Sequence, residues 1–300
     1  MRSPRISLGS WAFCFGPFAN HPWSFERFCE YTSQAGYDGV EINGFPPHPD
    51  PAKYDSAAKR RELKRFIEGL GLGISAYAPD FRSVPPAQAE TQEYLELIRV
   101  YLAFCADLDI RILRVDTVTP PETLPAAEYR RLLDRLTHTW RRAAELCDAS
   151  GITLVWEFEP GFWLNKPSEV LQVVRTVDHP RFRLLFDTSH AYLGAVRGAR
   201  HTLEPELLPG GVVAYAAMLA PYVGHLHLID SDGTLHDNET STHAPFGKGF
   251  VPFPAVLKAL RPTLDKLEWW CVDFCFWPDT ESDAGKALPF VRDLAQTLAL

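Results

Sequence analysis

Glu157, Asp187, His227 and Asp273 stand at or near the ends of four apolar, β-branched or aromatic runs in the second half of the chain, TLVWEFE, RLLFDT, HLHLID and WWCVDFC. Strand side chains alternate, so Glu157 and Glu159 share one face and His225 and His227 share another, leaving one member of each pair nearer the strand end. Three carboxylates and an imidazole make a mixed oxygen and nitrogen donor set suited to one divalent ion, with Mn²⁺ the first choice and Co²⁺, Mg²⁺ and Zn²⁺ the others. Taken singly, each residue has a plainer reading. A strand-end carboxylate commonly caps a helix or joins a salt bridge, and a histidine in an apolar run is commonly a hydrogen-bonded core residue. The set outweighs its members, because several carboxylates buried together without a cation incur desolvation and mutual repulsion.

Such a set needs an architecture that brings distant strand ends together. Eight strand-like runs are found at 6–13, 38–43, 74–79, 111–116, 153–159, 183–188, 225–230 and 269–275. An amphipathic segment follows each, and the roughly 30–45 residues between successive strands suit right-handed βαβ crossovers. Helix starts are expected near Ser24, Asp55 and Pro167 or Ser168, and helix ends at Gly36, Gly71 and Gly151. Eight units in series predict an α/β fold, a (β/α)8 TIM barrel made of residues 1–300 as one domain, with reactive groups at the C-terminal strand ends. No G-x-G-x-x-G turn follows the first strand to favour an open doubly wound sheet. The stretch 231–250 is the least regular and is expected to be an active-site loop.

Composition narrows the partners. The chain has 300 residues, 46% hydrophobic and 23% charged, with a net charge of −8 and a pI near 5.7. That balance argues against nucleic acid and anionic membrane surfaces, and no apolar stretch reaches the length of a membrane-spanning helix. The opening MRSPRISLGSWAFCFG reads as a first strand rather than a secretory leader. Cys14, Cys29, Cys105, Cys147, Cys271 and Cys275 are scattered and include no C-x-x-C pair, so free thiols and a cytoplasmic location are expected. The partner expected is a small-molecule carbohydrate. Helix faces could also support a homo-oligomer of unspecified number.

YDGVEI in the second strand, GITLVWEFEP in the fifth, FDTSHAYL in the sixth, VGHLHLIDSDG in the seventh and the segment HAPFGKGFVPFPAVLKAL together resemble the xylose isomerase-like barrels. That family includes sugar and sugar-phosphate isomerases, ketose 3-epimerases and metal-dependent abasic-site endonucleases. The resemblance spans most of the chain and implies metal ligands at Glu157, Asp187, His227 and Asp273, with His190 in contact with substrate. Three departures stand out. The eighth strand offers Asp273 where the family usually has glutamate, so its carboxylate lies nearer the backbone by one C–C bond, roughly 1.5 Å. LIDSDGTLHDNE has no arginine soon after the strand-seven histidine, unlike the 3-epimerases. Strands three and four end in Asp80 and Asp116 rather than histidines, and Ser241 precedes His243 where an aspartate would stand, which argues against the endonucleases' trinuclear zinc cluster.

One cation flanked by carboxylates suits proton transfer at a carbon next to a carbonyl, with the enediolate stabilised as charge moves onto oxygen. Glu157 is the preferred base. With Asp273 opposite it, removal on one face and return on the other gives epimerisation, whereas transfer by one residue between adjacent carbons gives isomerisation. Elimination from the same enolate, as in a lyase or dehydratase, would use His190 or His243 as acid. A different class is a catalytically idle metal-binding subunit. Glu41 could hold substrate hydroxyls or pair locally, Glu159 could be a fifth ligand or a rim salt-bridge partner, and Asp230 reads as an Asx-turn residue. Trp11, Phe13, Phe162, Trp163, Phe276 and Trp277 could enclose the mouth, with Trp11 touching substrate, or serve as core.

Overall fold

A computed structural model describes residues 3–237 and 239–299. The strands β1 (Arg5–Gly9), β2 (Gly39–Gly44), β3 (Gly73–Pro79), β4 (Ile112–Val115), β5 (Thr153–Glu157), β6 (Phe182–Asp187) and β7 (Val223–Leu228) run parallel and in sequence order around a barrel. Two further strands, β8 (Asp230–His236) and β9 (Thr240–Ala244), form a separate antiparallel hairpin, and β10 (Trp269–Val272) closes the barrel between β7 and β1. Outside lie α1 (Phe25–Gln34), α2 (Ala57–Gly69), α3 (Thr91–Asp107), α4 (Ala126–Ala149), α5 (Pro167–Val177), the short α6 (Thr188–Tyr192), α7 (Gly211–Leu219), α8 (Phe253–Leu264) and α9 (Thr280–Ala299). This is a (β/α)8 TIM barrel. No helix among the described residues is long and apolar enough to cross a membrane.

Local signals account for the element boundaries. The Ser24 hydroxyl accepts from the Arg27 amide to open α1, and Pro167 occupies the first turn of α5. For α2 the cap is Ser56, one residue beyond the expected Asp55, because its hydroxyl accepts from the Lys59 amide. Gly36 and Gly71 have φ of 85° and 77° just past helix ends, a conformation glycine adopts without a Cβ clash. Along α4, Leu132, Leu133, Leu136, Trp140, Ala143, Ala144 and Cys147 recur at helical spacing on the buried face. There Trp140 meets Trp156 and Phe182 of the barrel at ring-centroid distances of 5.2 and 5.3 Å. All six cysteines are free.

Two regions depart from the sequence expectation. The first strand stops at Gly9, and Ser10–Phe13 make a 3-10 turn that carries Trp11 over the barrel mouth. The irregular stretch after β7 is largely the β8/β9 hairpin, which its polar Asp, Gly and Thr content concealed. Asp230 does more than make an Asx turn. Buried, it accepts from the amides of Ser231, Gly247, Gly249 and Val251 at 2.9–3.0 Å and so binds the glycine loop to the hairpin. Gly249 permits that approach, since a Cβ there would lie 2.3 Å from the Ser231 carbonyl oxygen. Asp230→Ala leaves these amides without their acceptor, and we expect urea unfolding to show a loss of about 3 kcal/mol.

Candidate active site

Glu157 and Asp187 are the last residues of β5 and β6, His227 is the penultimate residue of β7, and Asp273 follows β10 directly. Asp187 and His227 are register partners, and Cys271 pairs with His227, so the strand ends converge over the barrel axis. One ligand atom from each of Glu157, Asp187, His227 and Asp273 lies within 4.8 Å of the others, and all four residues are buried. His227 Nδ1 is 2.9 Å from Asp273 Oδ2 and 3.2 Å from Glu157 Oε1.

Asp187 bears most directly on whether these residues fit a cation. Its Oδ1 accepts from the His190 amide at 2.7 Å and caps α6, whereas its Oδ2 is buried and has no partner. An orphaned buried carboxylate oxygen is costly. Burial and the neighbouring Asp273 push the Asp187 pKa up to about 7, against the pull of His243. Burial disfavours charge on His227 too, but Glu41, Cys271 and the hydrogen bonds to Asp273 and Glu157 together outweigh it and hold its pKa well above the usual value. The donor set of three carboxylates and one imidazole suits a divalent ion. On cation binding, His227 Nδ1 would exchange its proton for the metal while Nε2–H stays on Glu41.

The two ring nitrogens of His227 therefore have separate duties. Nε2 is 3.0 Å from Glu41 Oε1, and the other Glu41 oxygen accepts from His225 Nε2 at 2.7 Å. Glu41 has no exposed surface and does not line the cavity at the barrel mouth. The structure thus packs it against His227 and His225, the local pairing of the two sequence readings. Burial favours its neutral form, yet His227 and His225 outweigh this and hold its carboxyl well below the usual range. We expect Glu41→Gln to weaken cation affinity by roughly 10- to 100-fold in a calorimetric titration.

The other residues singled out from sequence meet above this cluster. His190, His243, Trp11, Glu157 and Asp273 all line a cavity of about 430 Å³. His190 Nδ1 is 2.8 Å from the Ser241 hydroxyl, and burial lowers its pKa to about 3, so the ring is neutral. His243 differs. Both of its ring nitrogens lack hydrogen-bond partners, Nδ1 lies 3.4 Å from Asp273 Oδ1, and its pKa rises to about 9 because Asp273, Asp187 and Glu157 together outweigh burial. The indole N–H of Trp11 donates to Asp273 Oδ1. With Trp11 on one oxygen and His227 on the other, Asp273 is fully engaged. Burial raises its pKa, but His243 and His227 overcome this and hold it well below the usual range. Phe162 and Phe276 line the cavity as well, whereas Phe13 stacks on Trp23 at 4.1 Å in the core and Trp163 is buried edge-on to Tyr129.

A family model described as xylose isomerase-like TIM barrel matches residues 29–293. The chain belongs to this family. Fructoselysine 3-epimerase of Escherichia coli O157:H7 is 25% identical over 247 residues, covering 76% of this chain and 77% of that protein. Inosose dehydratase of Bacillus licheniformis is 24% identical over 161 residues, 53% of this chain and 51% of that protein. The solved structure of a D-tagatose 3-epimerase-like protein has the same fold, with a TM-score of 0.73 at 18% identity over 98% of each chain.

This xylose isomerase-like barrel also contains a cation of its own that the sequence reading missed. Arg114 on β4 donates to Glu157 Oε2 and, at 2.7 Å, to Asp116 Oδ2. Its guanidinium is 3.6 Å from Glu159 Oε1. RILRVD carries the signal, because Arg114 and Asp116 fall on one strand face, two residues apart like Glu157 and Glu159. Burial would raise the Glu157 pKa, but Arg114 and then the His227 hydrogen bond bring it down to about 2. Glu159 moves the other way: burial and the Glu157 charge push it well above the ordinary value despite Arg114. Glu159 accordingly sits at the Arg114 side of the cavity, outside the four-residue cluster.

Proposed function

We propose that this chain is a divalent-metal-dependent isomerase or epimerase that moves a proton at the carbon next to the carbonyl of a sugar or sugar derivative. The observation that carries the reading is the convergence of Glu157, Asp187, His227 and Asp273, of which Glu157 and Asp273 line the cavity, with an unpartnered Asp187 oxygen among them. The fructoselysine 3-epimerase and inosose dehydratase relatives support this class of chemistry. Mn²⁺ is the working choice of ion. Bound there, the cation would act as a Lewis acid toward a substrate carbonyl and make the adjacent C–H more acidic.

Glu157 lines the cavity as an ionised carboxylate, held in place by Arg114 through Oε2, and Oε1 is turned toward His227 and His190. It is the proton acceptor. Asp273 accepts from the Trp11 indole through Oδ1 and turns Oδ2 toward His227, so that Oδ2 would be free to ligate the ion once His227 Nδ1 gives up its proton. His190, neutral and fixed by Ser241, offers Nε2 to a substrate hydroxyl. The protonated, otherwise unpaired His243 favours a second reading, in which it delivers a proton to a departing hydroxyl and the enzyme is a dehydratase or other lyase.

The test is proton NMR of the Mn²⁺- or Mg²⁺-loaded protein in deuterated water with a panel of ketoses. Deuterium entering the carbon next to the carbonyl supports proton transfer, and the product then separates epimerisation, isomerisation and elimination. A cation-loaded protein that exchanges no proton in any ketose would favour the idle metal-binding class.

A further inference from the structure

We propose that the outer half of the active-site cavity binds a planar aromatic group, so that the compound acted on is an uncharged sugar conjugate carrying such a group rather than a free or phosphorylated sugar. This deepens the proton-transfer reading and rests on it for the sugar end alone.

Phe15, Phe45, Phe162 and Phe276 line the cavity, and each remains half-buried. Phe15 meets Phe45 edge-on with centroids 5.7 Å apart. It faces Phe276 at 6.3 Å with the planes 25° apart, and Phe276 continues onto His236 of the hairpin at 4.3 Å. These separations are those of paired aromatic rings, and the result is a continuous wall. Apolar surface gathered around one opening and left partly uncovered marks a binding site more often than it marks incomplete packing.

The backbone beneath the wall supports this reading. Phe276 has φ of 60° and Val118, also on the cavity lining, has φ of 52°. Bulky and β-branched residues rarely occupy this left-handed region, and such strain persists where the surroundings over-determine it, commonly at ligand clamps. Gly16 accommodates Phe276: a Cβ on Gly16 would stand 3.0 Å from the Phe276 Cα.

Charge decides the rest of the substrate. Asp80, Asp116, Glu157, Glu159, Glu239 and Asp273 line the cavity against two arginines, and no lysine joins them among the described residues. Both arginines are already matched. Arg82 donates to both oxygens of Asp80 and lies 4.8 Å over the Phe45 ring at the wall's edge, and Arg114 is held by Glu157 and Asp116. The remaining cation of the lining, His243, faces Asp273 at 3.4 Å at the sugar end, so a phosphate dianion on the outer half would meet an acidic excess with no arginine or lysine outside an ion pair to receive it. The cavity volume of about 430 Å³ falls within the range of roughly 300–1,000 Å³ found for clefts that hold drug-sized ligands, and a bare hexose is smaller than these.

The test compares 2-naphthyl and methyl D-glucopyranosides, each as both anomers, by calorimetric titration into the full-length Mn²⁺-loaded protein. Neither compound carries a carbonyl, so the measurement reads binding without turnover. We expect the better naphthyl anomer to bind at least tenfold more tightly than its methyl counterpart. That ratio should fall to within threefold in Phe15→Leu and Phe45→Leu, which keep the bulk and remove the ring, with thermal melts confirming that both variants are folded. Equal affinities in the wild type, or a naphthyl preference unchanged in both variants, would overturn the proposal. A ring-dependent preference without proton exchange in any ketose would uphold the aromatic site and remove the proton-transfer reading, and exchange without the preference would do the reverse.

Discussion

Glu157→Gln should lower deuterium incorporation next to the substrate carbonyl by at least about a thousandfold, within the range expected when a positioned general base is lost. The amide keeps the shape of the side chain but can neither accept the proton nor carry the charge that Arg114 stabilises. Because Glu157 also belongs to the ligand cluster, the rate must be read at a cation concentration that restores wild-type occupancy, measured in parallel by metal analysis. A variant that is fully loaded and exchanges within tenfold of wild type would move the base to another carboxylate of the cavity, with Glu159 the nearest alternative by its place beside Arg114.

Arg114→Met should have the largest effect on stability. It removes the one guanidinium among Glu157, Asp116 and Glu159 and leaves buried carboxylates facing each other, a class of change that costs about 3–5 kcal/mol. The pH dependence should change as well. The wild-type Glu157 pKa, about 2, lies below its ordinary value of 4.5, with Arg114 the largest influence opposing burial. The stability it contributes is present above about pH 4.5 and is lost as pH falls toward 2. Without Arg114 the folded-state value rises, so urea unfolding followed between pH 6 and 3 should show a lower ceiling and a shallower acid-side decline. A loss under 1 kcal/mol with an unchanged pH profile would show that Arg114 is not what holds Glu157 ionised.

The parts of this molecule that were legible beforehand share a short-range cause. All eight barrel strands announce themselves by apolar runs at βαβ spacing, and Glu157, Asp187, His227 and Asp273 could be placed together because a barrel puts every strand's C-terminal end on one rim. What stayed hidden depends on partners far along the chain. Arg114 and Asp116 share a face of RILRVD, but only Glu157 at the end of β5 and Glu159 just beyond it turn them into a buried ion cluster. YDGVEI leaves Glu41 open to substrate or to local pairing, because its neighbours, His225 and His227, lie across the barrel. Asp230 needed the amides of a glycine loop up to 21 residues away. Trp11 has a polar partner only because the chain turns after Gly9 and delivers the indole to Asp273.

The central claim is that Glu157, Asp187, His227 and Asp273 hold one divalent cation. Diffraction from crystals grown with Mn²⁺, with data collected on both sides of the manganese absorption edge, tests it most directly. The account predicts a single anomalous peak bonded to oxygens of Glu157, Asp187 and Asp273 and to Nδ1 of His227. An absent peak at saturating Mn²⁺, or a peak elsewhere with the Asp187 Oδ2 still unpartnered, would contradict it.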